Sequence, residues 1–188
     1  MKMPFSRTIK NSIKTYTLRR QLERENWFFS PFRISQIVIE EKEWYRAYAP
    51  VKVQGKTILD IGGGEGETAR FYLKNGAAKV YVIECCQEAF CILTKNASFH
   101  HGVVPVNKRF ELSDLKLQNV DFAKCDIEGY EEVLIGVEPT FPMVVEVHGL
   151  QLRDRFKEAG WLVEPADDSS KKDYGCIYYA YWKCKQSP

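Results

Sequence analysis

Four apolar runs of the chain end in residues able to hold charge or move protons. Ile58-Leu59-Asp60-Ile61 opens into Gly62-Gly63-Gly64-Glu65-Gly66, and Val80-Tyr81-Val82-Ile83 stops at Glu84 and Cys85. Val120 to Cys125 delivers Asp126 and Glu128, and Val144 to Val147, with Glu146 inside it, delivers His148. A glycine cluster at a strand end lets the backbone turn tightly and approach a ligand closely. A carboxylate about 20 residues beyond such a loop can accept both hydroxyls of a ribose. Asp126, Glu128 and His148 have the chemistry to orient an acceptor hydroxyl or take its proton, and a neutral imidazole is the suitable base near pH 7. Glu131 and Glu132 fall at the expected start of a helix, where acids favour the dipole, and read as structural.

The loop's spacing and charge select its ligand. A dinucleotide site wants a third glycine where Glu67 stands, and a P-loop wants Gly-Lys followed by Ser or Thr. Asp60, Glu65 and Glu67 would repel a pyrophosphate. A ligand bearing an ammonium and a sulfonium reverses that sign, and S-adenosylmethionine bears both. Asp60, Gly62, Gly63 and Gly64 are then the residues for its methionine part, with Asp60 meeting the amino group directly or through water. Glu84 holds the ribose, and Cys85 lies against the adenine edge. No metal enters this reading.

These residues need a frame that brings strand ends to one edge. From residue 57 the texture alternates, with strands expected at 57–61, 79–84, 103–107, 120–126 and 143–148. Helices are expected at 68–75, 88–98, from about 131, and at 150–159. Repeated alternation predicts an α/β fold, a Rossmann-like doubly wound, mostly parallel sheet. Segments 161–163 and 176–182 predict an antiparallel closing pair across the polar loop 166–174. Residues 1–50 read as a helical extension on the substrate side or a lid, and 51–188 as the binding domain. Phe5, Ile9, Ile13 and Tyr16 fall on one helical face, Ser30-Pro31 breaks the helix, and Ile34, Ile37, Val38 and Trp44 mark a second one ending at Pro50.

Composition sets the outer bounds. The chain has 188 residues, a formal net charge of +2 and 45% hydrophobic residues, which fits one globular domain and gives no overall case for nucleic acid. Residues 1–24 are locally basic, with Lys2, Arg7, Lys10, Lys14, Arg19, Arg20 and Arg24 against Glu23, and read first as a solvated helix face. Six cysteines without a C-x-x-C pair read as reduced thiols in a cytoplasmic protein, forming neither a zinc site nor a disulfide framework. No apolar run approaches the roughly 18 residues of a membrane span.

Asp60 to Gly66 with Glu84 resembles the first two motifs of class I S-adenosylmethionine-dependent methyltransferases. Asp126-Ile127-Glu128-Gly129-Tyr130-Glu131 is similar to the signature of the FkbM-type methyltransferases, and Glu146-Val147-His148 resembles that family's Glu-x-His strand. The likeness covers about residues 55–182. It departs at Gly64-Glu65-Gly66, where the family commonly has Asn between the loop glycines. The resemblance implies O-methylation of a sugar or natural-product hydroxyl, a small-molecule acceptor. An Asn/Asp-Pro-Pro-Tyr motif is missing after the fourth strand, which argues against exocyclic base nitrogens. Two other readings stand beside this one: an RNA methyltransferase gripping phosphates with the basic N-terminal helix, and a catalytically silent cofactor-binding subunit.

Overall fold

The apolar runs become the strands of one sheet. In the computed structural model β1 (Thr57–Ile61), β2 (Lys79–Glu84), β3 (Val103–Asn107), β4 (Phe122–Cys125) and β5 (Met143–His148) lie parallel. At the far edge β7 (Ile177–Trp182) runs antiparallel to both β5 and β6 (Leu162–Pro165). The spatial order is β3-β2-β1-β4-β5-β7-β6. The chain steps outward from β1 to β3 and then returns to the other side of β1 at β4. Such a reversal opens a crevice at the carboxyl ends of β1 and β4. The structure describes residues 7–48, 52–166 and 177–183, except for the side chains of 7–11 and 40–43.

Helices α1 (Arg7–Arg24), α2 (Pro31–Ala47), α3 (Glu67–Lys74), α4 (Gln87–Phe99) and α5 (Leu150–Glu158) cover both faces of the sheet. Leu22, Trp27, Ile34, Ile37 and Trp44 join Phe71 and Tyr72 of α3 over Ile58, Val80, Phe122 and Val144. On the opposite face Phe156 and Trp161 pack over Leu59, Ala123, Val145 and Val147. Successive strand residues point to opposite faces, so both layers are apolar and the strands read as near-continuous hydrophobic runs. The N-terminal helices therefore share a core with the sheet. The Ser30 side chain caps α2 by accepting from the Arg33 N–H at 3.3 Å, and Pro31 takes the first turn, where its missing N–H costs nothing.

One buried amide fastens the N-terminal segment to the sheet. Asn96 of α4 is fully buried; its Nδ2 donates to the carbonyls of Phe28 (2.8 Å) and Glu65 (2.9 Å), and its Oδ1 accepts from the Phe28 N–H at 2.8 Å. Arg70 of α3 pairs with Glu25 at 2.8 Å beside it.

Several expectations need adjustment. Ile13 and Tyr16 are 57% and 67% exposed, so the face expected to be apolar on α1 is not the packed one, and α1 reaches the core through Leu22 and Leu18. The helix expected from residue 131 is a single 3-10 turn, Glu131–Leu134, because the chain turns left-handed at Gly136 (φ 80°) and meets Pro139 soon after. Phe5, Pro50, Cys176, Cys184, the Ile9 side chain and residues 167–174 of the polar loop lie outside the described residues. Among the described residues no helix is long and apolar enough to cross a membrane.

Asn96→Ala removes all three amide bonds and leaves the buried Glu65 carbonyl and the part-buried backbone groups of Phe28 without these partners. Each such group costs about 1–3 kcal/mol. Urea unfolding is expected to show a loss of at least about 2 kcal/mol, and an unchanged midpoint would contradict the role given to Asn96.

Candidate functional site

The glycine loop exists because two strand ends approach too closely for side chains. Gly62 has φ +72°, and a Cβ on it would lie 1.8 Å from the carbonyl oxygen of Asp126. A Cβ on Gly63 would meet Val82 at 2.2 Å. The loop is held from the next strand as well. Glu84 Oε2 accepts from the Gly64 N–H at 2.9 Å, and Oε1 accepts from the Cys86 N–H at 2.6 Å. Carboxylate oxygens have two lone pairs each, so Glu84 braces the loop and still lines the cleft with Gly62, Gly64 and the exposed Cys85.

Asp60 has a different place from the one its sequence position suggests. Strand parity turns it toward α3, beneath the loop, where it is fully buried and accepts from the Thr68 hydroxyl. Its register partner is Lys124 on β4. Lys124 is 2% exposed; its Nζ donates to the Gly62 carbonyl at 3.1 Å and stands 3.3 Å from Asp60 Oδ1 and 3.8 Å from Asp126 Oδ2. Burial opposes its charge, but the carboxylates of Asp60, Asp126, Glu67 and Glu146 outweigh burial and hold its pKa above the ordinary lysine value. Asp60 and Gly63 thus lie under the cleft and do not line it, while Lys124 does.

The loop's other acids reach the N-terminal segment. Glu65 Oε2 accepts from the Ser30 N–H at 2.6 Å. Glu67, whose pKa burial raises against the pull of Arg33, pairs with that guanidinium at 3.3 Å. These bonds set α2 against the loop as one wall of a cleft of about 870 Å³.

At the other end of the cleft the ends of β4 and β5 bring Asp126, Glu128 and His148 together, as their strand-end positions imply. His148 Nδ1 lies 2.7 Å from Glu131 Oε1, and its Nε2 is 3.8 Å from both Glu128 Oε2 and Glu146 Oε1. The Glu131 hydrogen bond, opposed by partial burial, pushes the imidazole pKa up to about 9. This corrects the expectation of a neutral histidine base near pH 7. Glu131 is fully buried and also accepts from the Gly129 N–H at 2.9 Å, so it belongs to the site and is more than a helix-start acid. Burial, with Glu146 and Glu128 nearby and Lys124 opposing, raises Asp126 to about 7. Glu128 is 85% exposed at the side chain and has φ 51°, a left-handed conformation shared with Gly129 beside it. Glu146 accepts from the buried Tyr48 hydroxyl of the α2 end.

Sequence reasoning passed over Lys124, Tyr48 and Glu131. Lys124 carried a signal: a lysine inside the run Phe122-Ala123-Lys124-Cys125 must be buried, and a buried ammonium needs carboxylates. Glu131 stood at the end of the 126–131 motif but read as a helix-start acid, and Tyr48 carried no signal, since its partner Glu146 is distant in sequence.

No protein-family model matches the chain. Over 116 residues it is 28% identical to protein arginine N-methyltransferase 6 of Xenopus tropicalis, a match covering 61% of this chain and 32% of that one. The chain spans about a third of the length of the curated relatives it matches. Among solved structures it superimposes on Aeropyrum pernix fibrillarin with natively bound S-adenosyl-L-methionine, with a TM-score of 0.57 at 13% identity over 76% of this chain and 73% of that one. It superimposes likewise on TrmK of M. capricolum in complex with S-adenosyl-homocysteine, with a TM-score of 0.58 at 13% identity over 77% and 68%. The fold is that of the class I, S-adenosylmethionine-dependent methyltransferases.

Breaking a buried ion pair by removing one partner costs about 3–5 kcal/mol. Lys124→Met is expected to lose about that much stability in urea, and adding Asp60→Asn is expected to return part of it, with about 0.5–3 kcal/mol of coupling in the double-mutant cycle. Strictly additive losses would show that the two groups do not depend on each other.

Proposed function

We propose that the chain is an S-adenosylmethionine-dependent methyltransferase acting on a hydroxyl oxygen of a small molecule. The observation that carries this reading is the glycine loop at the β1–β4 switch point, braced by Glu84 and opening into an acidic cleft. The residues fit the cofactor. Gly62 and Gly64 line the cleft with backbone, and a Cβ on either would run into Asp126 or Glu67. Glu84 keeps acceptor capacity at the cleft wall for ribose hydroxyls, and Cys85 lies next to it for the adenine edge. The methionine ammonium finds Glu67 and the loop rather than Asp60, which supports the loop from beneath through Thr68 and Lys124. The bound cofactor supplies an electrophilic methyl group on a sulfonium.

The remaining residues receive the acceptor. Asp126 lines the cleft at the end of β4, and its buried Oδ1 has no hydrogen-bond partner among the described residues. In this reading its carboxylate accepts the acceptor's O–H, with Glu128 just beyond β4 and His148 at the end of β5 fixing the orientation. Holding reacting groups in line is worth up to about 7–11 kcal/mol of the barrier, and this is the main task we give to the cleft. Helix α2 serves as the acceptor-side wall, with Phe32, Arg33 and Gln36 facing the opening. The likeness of residues 126–131 and 146–148 to the FkbM-type signature supports an oxygen acceptor. The arginine N-methyltransferase relatives favour a second reading, a cationic nitrogen acceptor facing Asp126, Glu128 and Glu146. A labelled-methyl screen with hydroxylated metabolites, arginine-rich peptides and RNA separates the acceptor classes.

Calorimetry is expected to show S-adenosylmethionine binding in preference to NAD. A charge-assisted hydrogen bond is worth about 1.5–3 kcal/mol, so Glu84→Ala is expected to weaken binding roughly 10- to 150-fold. Glu84→Gln, which keeps one acceptor oxygen, should lose less. NAD preference would remove the cofactor assignment, and equal affinity of wild type and Glu84→Ala would remove the ribose role of Glu84.

A further inference from the structure

We propose that Asp126, Glu131 and His148 form a divalent-cation site at the acceptor end of the cleft. One ligand atom from each lies within 4.8 Å of the other two. Oxygen and nitrogen ligands sit about 2.0–2.2 Å from a transition ion and so no more than about 4.4 Å from each other. Small side-chain rotations close the difference, and Glu131 Oε1 and His148 Nδ1 are already 2.7 Å apart.

The state of the carboxylates points to a ligand. Glu131 is fully buried, yet its Oε2 has no hydrogen-bond partner among the described residues, and the same holds for Asp126 Oδ1. Buried anionic oxygens are costly unless a donor or cation meets them. The charge around them is one-sided. Asp126, Glu128, Glu131 and Glu146 gather about a single imidazole, and the nearest ammonium, Lys124, is shared among Asp60, the Gly62 carbonyl and, at 3.8 Å, Asp126 Oδ2. The donor's positive groups belong to the glycine-loop end and leave this deficit in place.

The ligand set narrows the ion. Carboxylates suit Mg²⁺ and Mn²⁺, while imidazole suits transition ions, and Mn²⁺ accepts both. Such an ion displaces the proton shared by His148 and Glu131. Three protein ligands leave positions open on an octahedral ion. An acceptor with two adjacent oxygens would fill two of them, which is the substrate class implied; this acceptor role rests on the methyl-transfer reading, whereas the ion site does not.

Titration of the full chain with Mn²⁺, followed by electron paramagnetic resonance, tests the site, with S-adenosylmethionine calorimetry run in parallel on each variant. One Mn²⁺ per chain is expected, with affinity lowered at least about tenfold in His148→Ala and in the isosteric Glu131→Gln. Asp126→Asn, at a partly exposed side chain, gives the same reading should Glu131→Gln fail to fold. Absence of stoichiometric Mn²⁺ binding, or affinity unchanged in His148→Ala and Asp126→Asn, overturns the proposal. Mn²⁺ binding without cofactor binding would keep the ion site and remove the donor reading. Cofactor binding without Mn²⁺ binding would do the reverse.

Discussion

A single buried ammonium, that of Lys124, holds together the parts of the molecule that face the cleft. It lies on β4 opposite Asp60 of β1, donates to the carbonyl of the first loop glycine and stands beside Asp126. Removing a lysine from water is expensive, and only several carboxylates at short range offset that cost. Each carboxylate that does so is thereby fixed in place. The glycine loop, the β4 end and the β5 acid Glu146 share one electrostatic centre, which pre-positions the cleft before any ligand arrives.

The N-terminal helices extend this arrangement outward. Glu65 takes the Ser30 N–H, Glu67 takes Arg33, and Asn96 bridges Phe28 to the loop carbonyl of Glu65. The loop's acids thus dock the wall that encloses the cleft. A change in the loop would be felt in α2, and a shift of α2 would be felt at Glu67. This coupling gives the first helices a reason to share the sheet's core instead of forming a separate unit.

Much of this was legible in sequence. The sheet could be read because buried parallel strands leave long apolar runs, and the glycine cluster because few turns need so many glycines in succession. The closing strand was legible from its aromatic run, Tyr178 to Trp182, though not its position between β5 and β6. What escaped was direction and distance. Asp60 stands at a strand end, but which face it takes depends on parity and on the side α3 covers. Glu131 looked like a helix-start acid because that argument is local, while its partner His148 lies 17 residues on and meets it only through the β4–β5 pairing. That meeting also pushes the imidazole pKa up to about 9. The α1 face was misread because a period of 3.6 identifies a stripe but not what covers it.

Hydrogen exchange with and without S-adenosylhomocysteine tests the account most directly, because it reports where a nucleoside thioether seats on the intact chain. Strong added protection is expected for the amides of 62–66 and 84–86, which the Glu84 brace joins, and weaker protection at the start of α2. Protection confined to other strand ends, or none at saturating ligand, would contradict a cofactor site at the β1–β4 switch point.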